Sequence, residues 1–313
     1  MVVHPEIRAF LDALAELNLP PVQNLSPEAA RAQMEAGVKA RNIPPTEVGA
    51  VAERSLPGPG GAIRSRIYTP AGGRRPHPLL VYFHGGGHVI GSLDTHDAIA
   101  RNLCAGAQCV VASIDYRMGP EHKFPAAFDD GVAATAWLAA NAAEIGADPS
   151  RLAVGGDSAG GNLAAAVAIA ARDAGGPALC HQLLVYPLVD YRCDSQSYET
   201  FATGYGVLEA ETMQWFREHY LRSAADADDW RASPLLADSL ADLPPALVFT
   251  AECDVLHDEG VAYARALAAA GNAVEHIEAS GMIHGFFGLA PMINGAVVAQ
   301  AQAVEALRRG FGL

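Results

Sequence analysis

Leu152-Ala153-Val154-Gly155-Gly156-Asp157-Ser158-Ala159-Gly160-Gly161-Asn162 is an apolar run that ends in a glycine-rich turn around one serine. An alanine-rich segment of helical character, Leu163 to Ala171, follows it. Read as strand, sharp turn and helix, the stretch fits G-x-S-x-G, the nucleophile elbow, with Gly156 and Gly160 at the two fixed places. Physical constraint explains the glycines. Ser158 must sit on strained backbone for its hydroxyl to project clear of a sheet, and a side chain two residues to either side would collide with strand or helix. The helix N-terminus adds partial positive charge where an oxyanion would form. Alone, the pentapeptide also fits an ordinary glycine-rich strand-to-helix turn.

Working outward, Leu79-Leu80-Val81-Tyr82-Phe83 reads as a buried strand running into His84-Gly85-Gly86-Gly87. A triple glycine there lets the backbone approach a ligand and aim N–H groups at it. His84 and His88 have metal-ligand spacing only on a helix, which the intervening glycines disfavour, so no metal site is expected. Further strands are expected at Val110 to Tyr116, Leu183 to Val189, Ala246 to Thr250 and Val274 to Ile277. Helices are expected at Asp129 to Ala143, Glu259 to Ala270 and Asn294 to Arg309. Strands spaced by helices of this length predict an α/β fold with a mostly parallel central sheet flanked by helices.

The N-terminal residues 5–40 have helical periodicity, with Ser26 as an N-cap before Pro27. Residues 48–68 read as a hairpin of two strands. Asp190 to Trp230 interrupts the alternation and is too long for a simple connection. It reads as an inserted helical cap, packing with the N-terminal helices over the site. The expected organisation is therefore N-terminal cap helices over 1–45, a catalytic α/β part over 46–189, the cap insert over 190–230, and the rest of the α/β part over 231–313.

The 313 residues carry 35 acidic and 21 basic side chains, a net charge of −14. No basic stripe is available to displace counterions, so neither nucleic acid nor an anionic membrane is an expected partner. Cys104, Cys109, Cys180, Cys193 and Cys253 are odd in number and lack C-x-x-C spacing. That argues against a disulfide framework or a zinc site and suits a reducing cytoplasm. Neither a signal-peptide pattern nor an apolar run long enough to span a bilayer is evident.

A serine hydrolase on such a sheet needs nucleophile, acid and histidine in that order, each just past a strand's C-terminal end. Ser158, Asp254 and His284 satisfy this. Asp258 is the runner-up acid, and His257 ranks below His284. Asp157, adjacent to the serine, is expected to point away and support the turn; Glu252 reads as structural, and Asp115 and Glu121 as buttresses of the elbow.

The motifs His84-Gly85-Gly86-Gly87, Asp115-Tyr116-Arg117, Pro120-Glu121-His122, Phe124-Pro125-Ala126-Ala127, Gly156-Asp157-Ser158-Ala159-Gly160-Gly161, Asp254 and His284-Gly285-Phe286 resemble those of the hormone-sensitive-lipase-like carboxylesterases, bacterial family IV, of the α/β-hydrolase fold. The resemblance runs from about Leu79 to Phe286. It implies Ser158 as nucleophile, His284 as general base and then acid, and Asp254 as the residue orienting His284. Oxyanion donors would be the amides of Gly85, Gly86 and Ala159. It further implies short- to medium-chain acyl esters as substrates, no cofactor, and compatibility with a homodimer. His88 stands where the family usually has Trp or Phe. Candidate substrate-binding residues are His88, Tyr186, Leu208, Trp215, Ile283 and Phe286. Amidase or deacetylase activity uses the same machinery, and a non-catalytic small-molecule receptor is the alternative from another class.

Overall fold

The chain, described over residues 2–313 in a computed structural model, begins with two helices, α1 (Pro5–Glu16) and α2 (Pro27–Ala40). The Ser26 hydroxyl accepts from the Ala29 amide at 3.2 Å and Pro27 opens α2, so both expected start signals operate. Then follow β1 (Ala50–Gly58), β2 (Gly61–Thr69), β3 (His77–Phe83), α3 (Asp97–Ala107), β4 (Val110–Asp115), α4 (Ala126–Ala140), β5 (Ala147–Asp157), α5 (Ala159–Asp173) and β6 (His181–Val185). After β6 come α6 (Gln196–Thr200) and α7 (Ala210–Tyr220), and finally β7 (Ala246–Cys253), α8 (His257–Ala269), β8 (Val274–Ile283) and α9 (Asn294–Gly310).

The eight strands form one sheet in the order β1-β2-β4-β3-β5-β6-β7-β8. β2 runs antiparallel to both β1 and β4, and every other pairing is parallel. Strands β3 and β6 are buried along their whole length, as a parallel sheet covered on both faces requires. Each large apolar side chain there contributes roughly 1.5–3 kcal/mol of burial. Helix α5 is almost entirely buried, and its run of alanines lets it lie close against the sheet.

Several boundaries depart from the sequence reading: α4 spans Ala126–Ala140 rather than Asp129 to Ala143 and β7 runs on to Cys253, and two further differences bear on the site. β6 stops at Val185 rather than Val189, because the chain turns out of the sheet at Tyr186, where φ is 34°. β8 continues to Ile283 rather than stopping at Ile277, and its end pairs with Cys253. That continuation has a consequence for the site. β3, β5, β7 and β8 all end at the same edge, which brings residues 84–87, Ser158, Asp254 and His284 together.

Residues 186–245 carry no strand. Thr212 on α7 donates to Gln23 at 2.9 Å, joining this segment to the N-terminal residues. Lys123 caps the end of α7, donating to the carbonyls of Glu218 and Leu221 at 2.7 and 2.8 Å. No described helix is long and apolar enough to cross a membrane.

Candidate active site

Ser158 lies between the end of β5 and the start of α5, with φ 56° and ψ −120°. The turn is fixed from both sides: the Ser158 amide donates to Val185 at 2.8 Å, and its carbonyl accepts from Asn162 at 3.0 Å and from Leu188 at 3.2 Å. Glycine at 156 and 160 is a steric necessity. A methyl group at Gly160 would overlap the Phe83 carbonyl, and one at Gly156 would overlap the backbone of Gly160.

His284 Nε2 is 2.9 Å from Ser158 Oγ, and His284 Nδ1 is 2.7 Å from Asp254 Oδ2. The other Asp254 oxygen accepts from the Leu256 amide at 3.0 Å, so the carboxylate is oriented from two directions. Ser158 and His284 are 9 % and 8 % exposed, whereas Asp254 is buried. An imidazole placed between a hydroxyl and a buried carboxylate can take the hydroxyl proton while the carboxylate holds its tautomer and stabilises the cation formed.

The competing acids and bases fall elsewhere. Asp258 accepts from the Ser197 amide at 2.9 Å and faces His257, whose other nitrogen meets Glu278 at 2.8 Å. Asp157 points beneath the turn, accepting from the Tyr82 hydroxyl at 2.7 Å and lying 3.3 Å from His96 Nε2. Glu252 accepts from Ser280 and the Gly281 amide, both at 2.7 Å. Asp115 and Glu121 do not buttress the elbow, which corrects the sequence reading. Asp115 pairs with Arg64 at 3.2 Å on the antiparallel side of the sheet. Glu121 takes both prongs of Arg31 at 2.7 Å, and Arg31 also donates to Val89 and Gly119. The Arg31 hydrogen bond brings the Glu121 carboxyl down to about 2. Arg31 thus ties α2 to the loop after β4 and, through Val89, to the chain just past the glycine loop.

The glycine loop requires a second correction. The Gly85 amide is not directed at Ser158. It donates to His96 Nε2 at 3.2 Å beneath the loop. Among the described residues no acceptor meets the amides of Gly86 and Gly87. Both have positive φ, 121° and 60°, which admits glycine without strain. The Ala159 amide opens α5 and so has no acceptor within its own helix. Free donors at the strand ends beside Ser158 are therefore Gly86, Gly87 and Ala159; Gly87 is not among the expected donors because nothing in three consecutive glycines marks which amide turns inward.

Of the six candidate substrate-binding residues, Tyr186 packs its ring 4.6 Å from that of His284. Leu208 and Trp215 keep 7 % and 8 % exposure. His88, Ile283 and Phe286 have none and so do not line the space above Ser158, a third correction. The His88 ring is drawn under the insert, stacked on Tyr220 at 4.1 Å with Nδ1 2.7 Å from the Tyr191 hydroxyl. Burial pushes its pKa down to about 3, so it is neutral. Ile283 lies under Gly206, and Phe286 packs edge-on to Tyr186. Phe216, whose ring sits against Gly87, covers the glycine loop instead. Among the described residues no three His, Cys, Asp or Glu side chains gather as a metal-ligand set.

Residues 80–288 match the family described as alpha/beta hydrolase fold, and the chain belongs to that family. Within it the chain is a hormone-sensitive-lipase-like member. It is 46 % identical to the carboxylic ester hydrolase LipN of Mycobacterium tuberculosis over 90 % of this chain and 75 % of that protein. It is 37 % identical to the ethyl acetate hydrolase of Pseudomonas putida over 99 % of both chains. Among solved structures, the Ser161Ala mutant of LAE6, an alpha/beta hydrolase enzyme from the metagenome of Lake Arreo, superposes with a TM-score of 0.95 at 41 % identity, covering 100 % of this chain and 99 % of that one. A thermostable esterase from Pseudomonas putida ECU1011 gives 0.95 at 40 %, covering 100 % and 98 %.

Proposed function

We propose that the protein is a serine carboxylesterase that hydrolyses short- to medium-chain acyl esters. The observation that carries this reading is the continuous line Ser158–His284–Asp254 beside three unengaged backbone amides. His284 takes the Ser158 proton as Oγ attacks the ester carbonyl. The oxyanion is met by the amides of Gly86, Gly87 and Ala159, each such donor being worth ~10²–10³ in turnover. His284 then protonates the departing alcohol, and water, deprotonated by the same imidazole, releases the acid from acyl-Ser158. Asp254 keeps its hydrogen bond to His284 Nδ1 throughout, fixing the neutral tautomer and stabilising the imidazolium when it forms. The small exposure of Ser158, with the Phe216 ring seated on the adjacent Gly87, favours short acyl chains over long ones. The insert 190–230 and residues 1–45 act as the cap that closes this space. Five free cysteines fit a reducing, cytoplasmic setting.

Hydrolysis of nitrophenyl esters from acetate to dodecanoate, by wild type and Ser158→Ala together, tests the reading. Wild-type turnover should peak on the short chains, with Ser158→Ala at background, a loss of roughly 10⁴-fold or more. Full activity in the variant would place the nucleophile elsewhere, and an inert wild type would defeat the esterase reading.

A further inference from the structure

Beneath the glycine loop lies a set of buried polar groups centred on His96, in which only one ring tautomer gives the Gly85 amide an acceptor. The Gly85 amide, 3.2 Å from His96 Nε2, can only donate, so that nitrogen offers its lone pair. With Nε2 accepting, the ring proton sits on Nδ1, which is 2.8 Å from Thr95 Oγ1. Thr95 Oγ1 gives its own proton to the Ser92 carbonyl at 2.9 Å and accepts from the Ser92 amide at 2.8 Å. One lone pair remains on that oxygen, and Nδ1–H fills it. Asp157 Oδ2 is the competitor, 3.3 Å from Nε2. A proton on Nε2 would turn the bond to Asp157 and leave the Gly85 amide without its acceptor. The remaining groups around the ring are His84, 5.4 Å away between ring centroids, and Tyr82, which donates to the far oxygen of Asp157. His84 is itself pinned, stacked on Tyr116 with Nδ1 2.8 Å from the Gly85 carbonyl. Both sides of Gly85 are thus held from below by imidazoles.

We propose that His96 is a positioning residue for the oxyanion loop: as the Nδ1–H tautomer it draws the Gly85 amide inward, and that peptide orientation leaves the Gly86 and Gly87 amides free to meet the oxyanion. The inference rests on the serine esterase reading above. His96 acts through Gly85 and is not a catalytic residue. The Ser92–Thr95 pair sets its tautomer, and Asp157 carries the alternative that the Nδ1–H tautomer excludes. A ring misplaced here weakens transition-state binding while ground-state ester binding is left intact.

Two measurements on the full chain test this. In a long-range ¹H–¹⁵N spectrum of histidine-labelled protein at neutral pH, His96 should show a protonated Nδ1 and an unprotonated Nε2. An Nε2–H tautomer would overturn the proposal, and this readout does not depend on ester turnover, so it separates failure of the inference from failure of the esterase reading. In kinetics normalised to phosphonate-reactive Ser158, His96→Leu should lower kcat roughly 10- to 100-fold. KM should stay within about threefold of wild type. Affinity for a trifluoromethyl ketone, which forms a tetrahedral oxyanion, should fall with kcat. His96→Gln, whose carbonyl reaches the place of Nε2, should recover part of the loss. Thr95→Val, which keeps the ring but removes the Nδ1 acceptor, should give a smaller loss of the same kind and serves if His96→Leu does not fold. Wild-type kcat and ketone affinity in His96→Leu, or a loss confined to KM, would overturn the assignment.

Discussion

Ser158 holds φ 56°, a left-handed value that an L-residue keeps only where its surroundings leave no alternative. The surroundings here are backbone: the Val185 carbonyl in front, the Asn162 and Leu188 amides behind, and the Phe83 carbonyl against Gly160. Gly160→Ala should therefore destabilise the fold by about 1–3 kcal/mol or more, since the overlapped atom is backbone and has little room to yield. Urea unfolding would measure it, and a midpoint equal to wild type would show that the turn relaxes. At this scale the sequence was legible where spacing and residue type are distinctive, as for Ser158, Asp254 and His284. It was not legible where a hydrogen bond chooses between chemically equal neighbours. Nothing in Gly85-Gly86-Gly87 says which amide turns inward; that depends on His96, eleven residues on, whose ring is brought below the loop by the chain's return into α3. The Thr95-His96-Asp97 triplet is the one signal that could have been followed.

Between elements, α8 and β8 are linked by His257, which meets Asp258 at 2.9 Å and Glu278 at 2.8 Å. Burial alone would lower this imidazole's pKa, but hydrogen bonds to Glu278 and Asp258 outweigh it and raise the pKa above 6.5. A raised folded-state pKa means the link is fully stabilising below about 6.5 and is lost as pH climbs through the folded value. Melting temperature should therefore decline as pH rises above that point, and His257→Gln should flatten the decline. An unchanged slope in the variant would remove His257 as its source. The sheet and its flanking helices could be read from hydrophobic runs and capping residues, because burial on both faces leaves little choice of residue. The ends of β6 and β8 could not, since the exit at Tyr186 and the pairing of Cys253 with Ile283 are settled by contacts between distant segments. The tie from Arg31 to Glu121 is likewise long-range and left no local trace.

Across the whole molecule, burial lowers the pKa of three histidines most strongly. Burial lowers His84 to about 4, His88 to about 3 and His181 to about 4, against 6.5 for an exposed ring. The unfolded chain binds protons at these rings first, so their stability is intact above 6.5 and is lost as pH falls toward 4. Each ring contributes roughly 1.4 kcal/mol per pH unit within that window. Melting temperature should drop steeply between pH 6.5 and 4, and His181→Gln, far from the site, should make the drop shallower. A variant with the wild-type acid slope would contradict this. Acid sensitivity would then have to come from the carboxylates, which outnumber the basic groups 35 to 21.

An activated Ser158 is tested most directly by covalent labelling. The protein would be treated with a nitrophenyl phosphonate, weighed intact and mapped by peptide mass spectrometry. One phosphonyl group should appear on Ser158, with nitrophenol released in equal amount and ester hydrolysis abolished in proportion. His284→Ala should slow the labelling by roughly 10³-fold or more. Labelling at another residue, or no labelling at all while esters are still hydrolysed, would contradict the assignment.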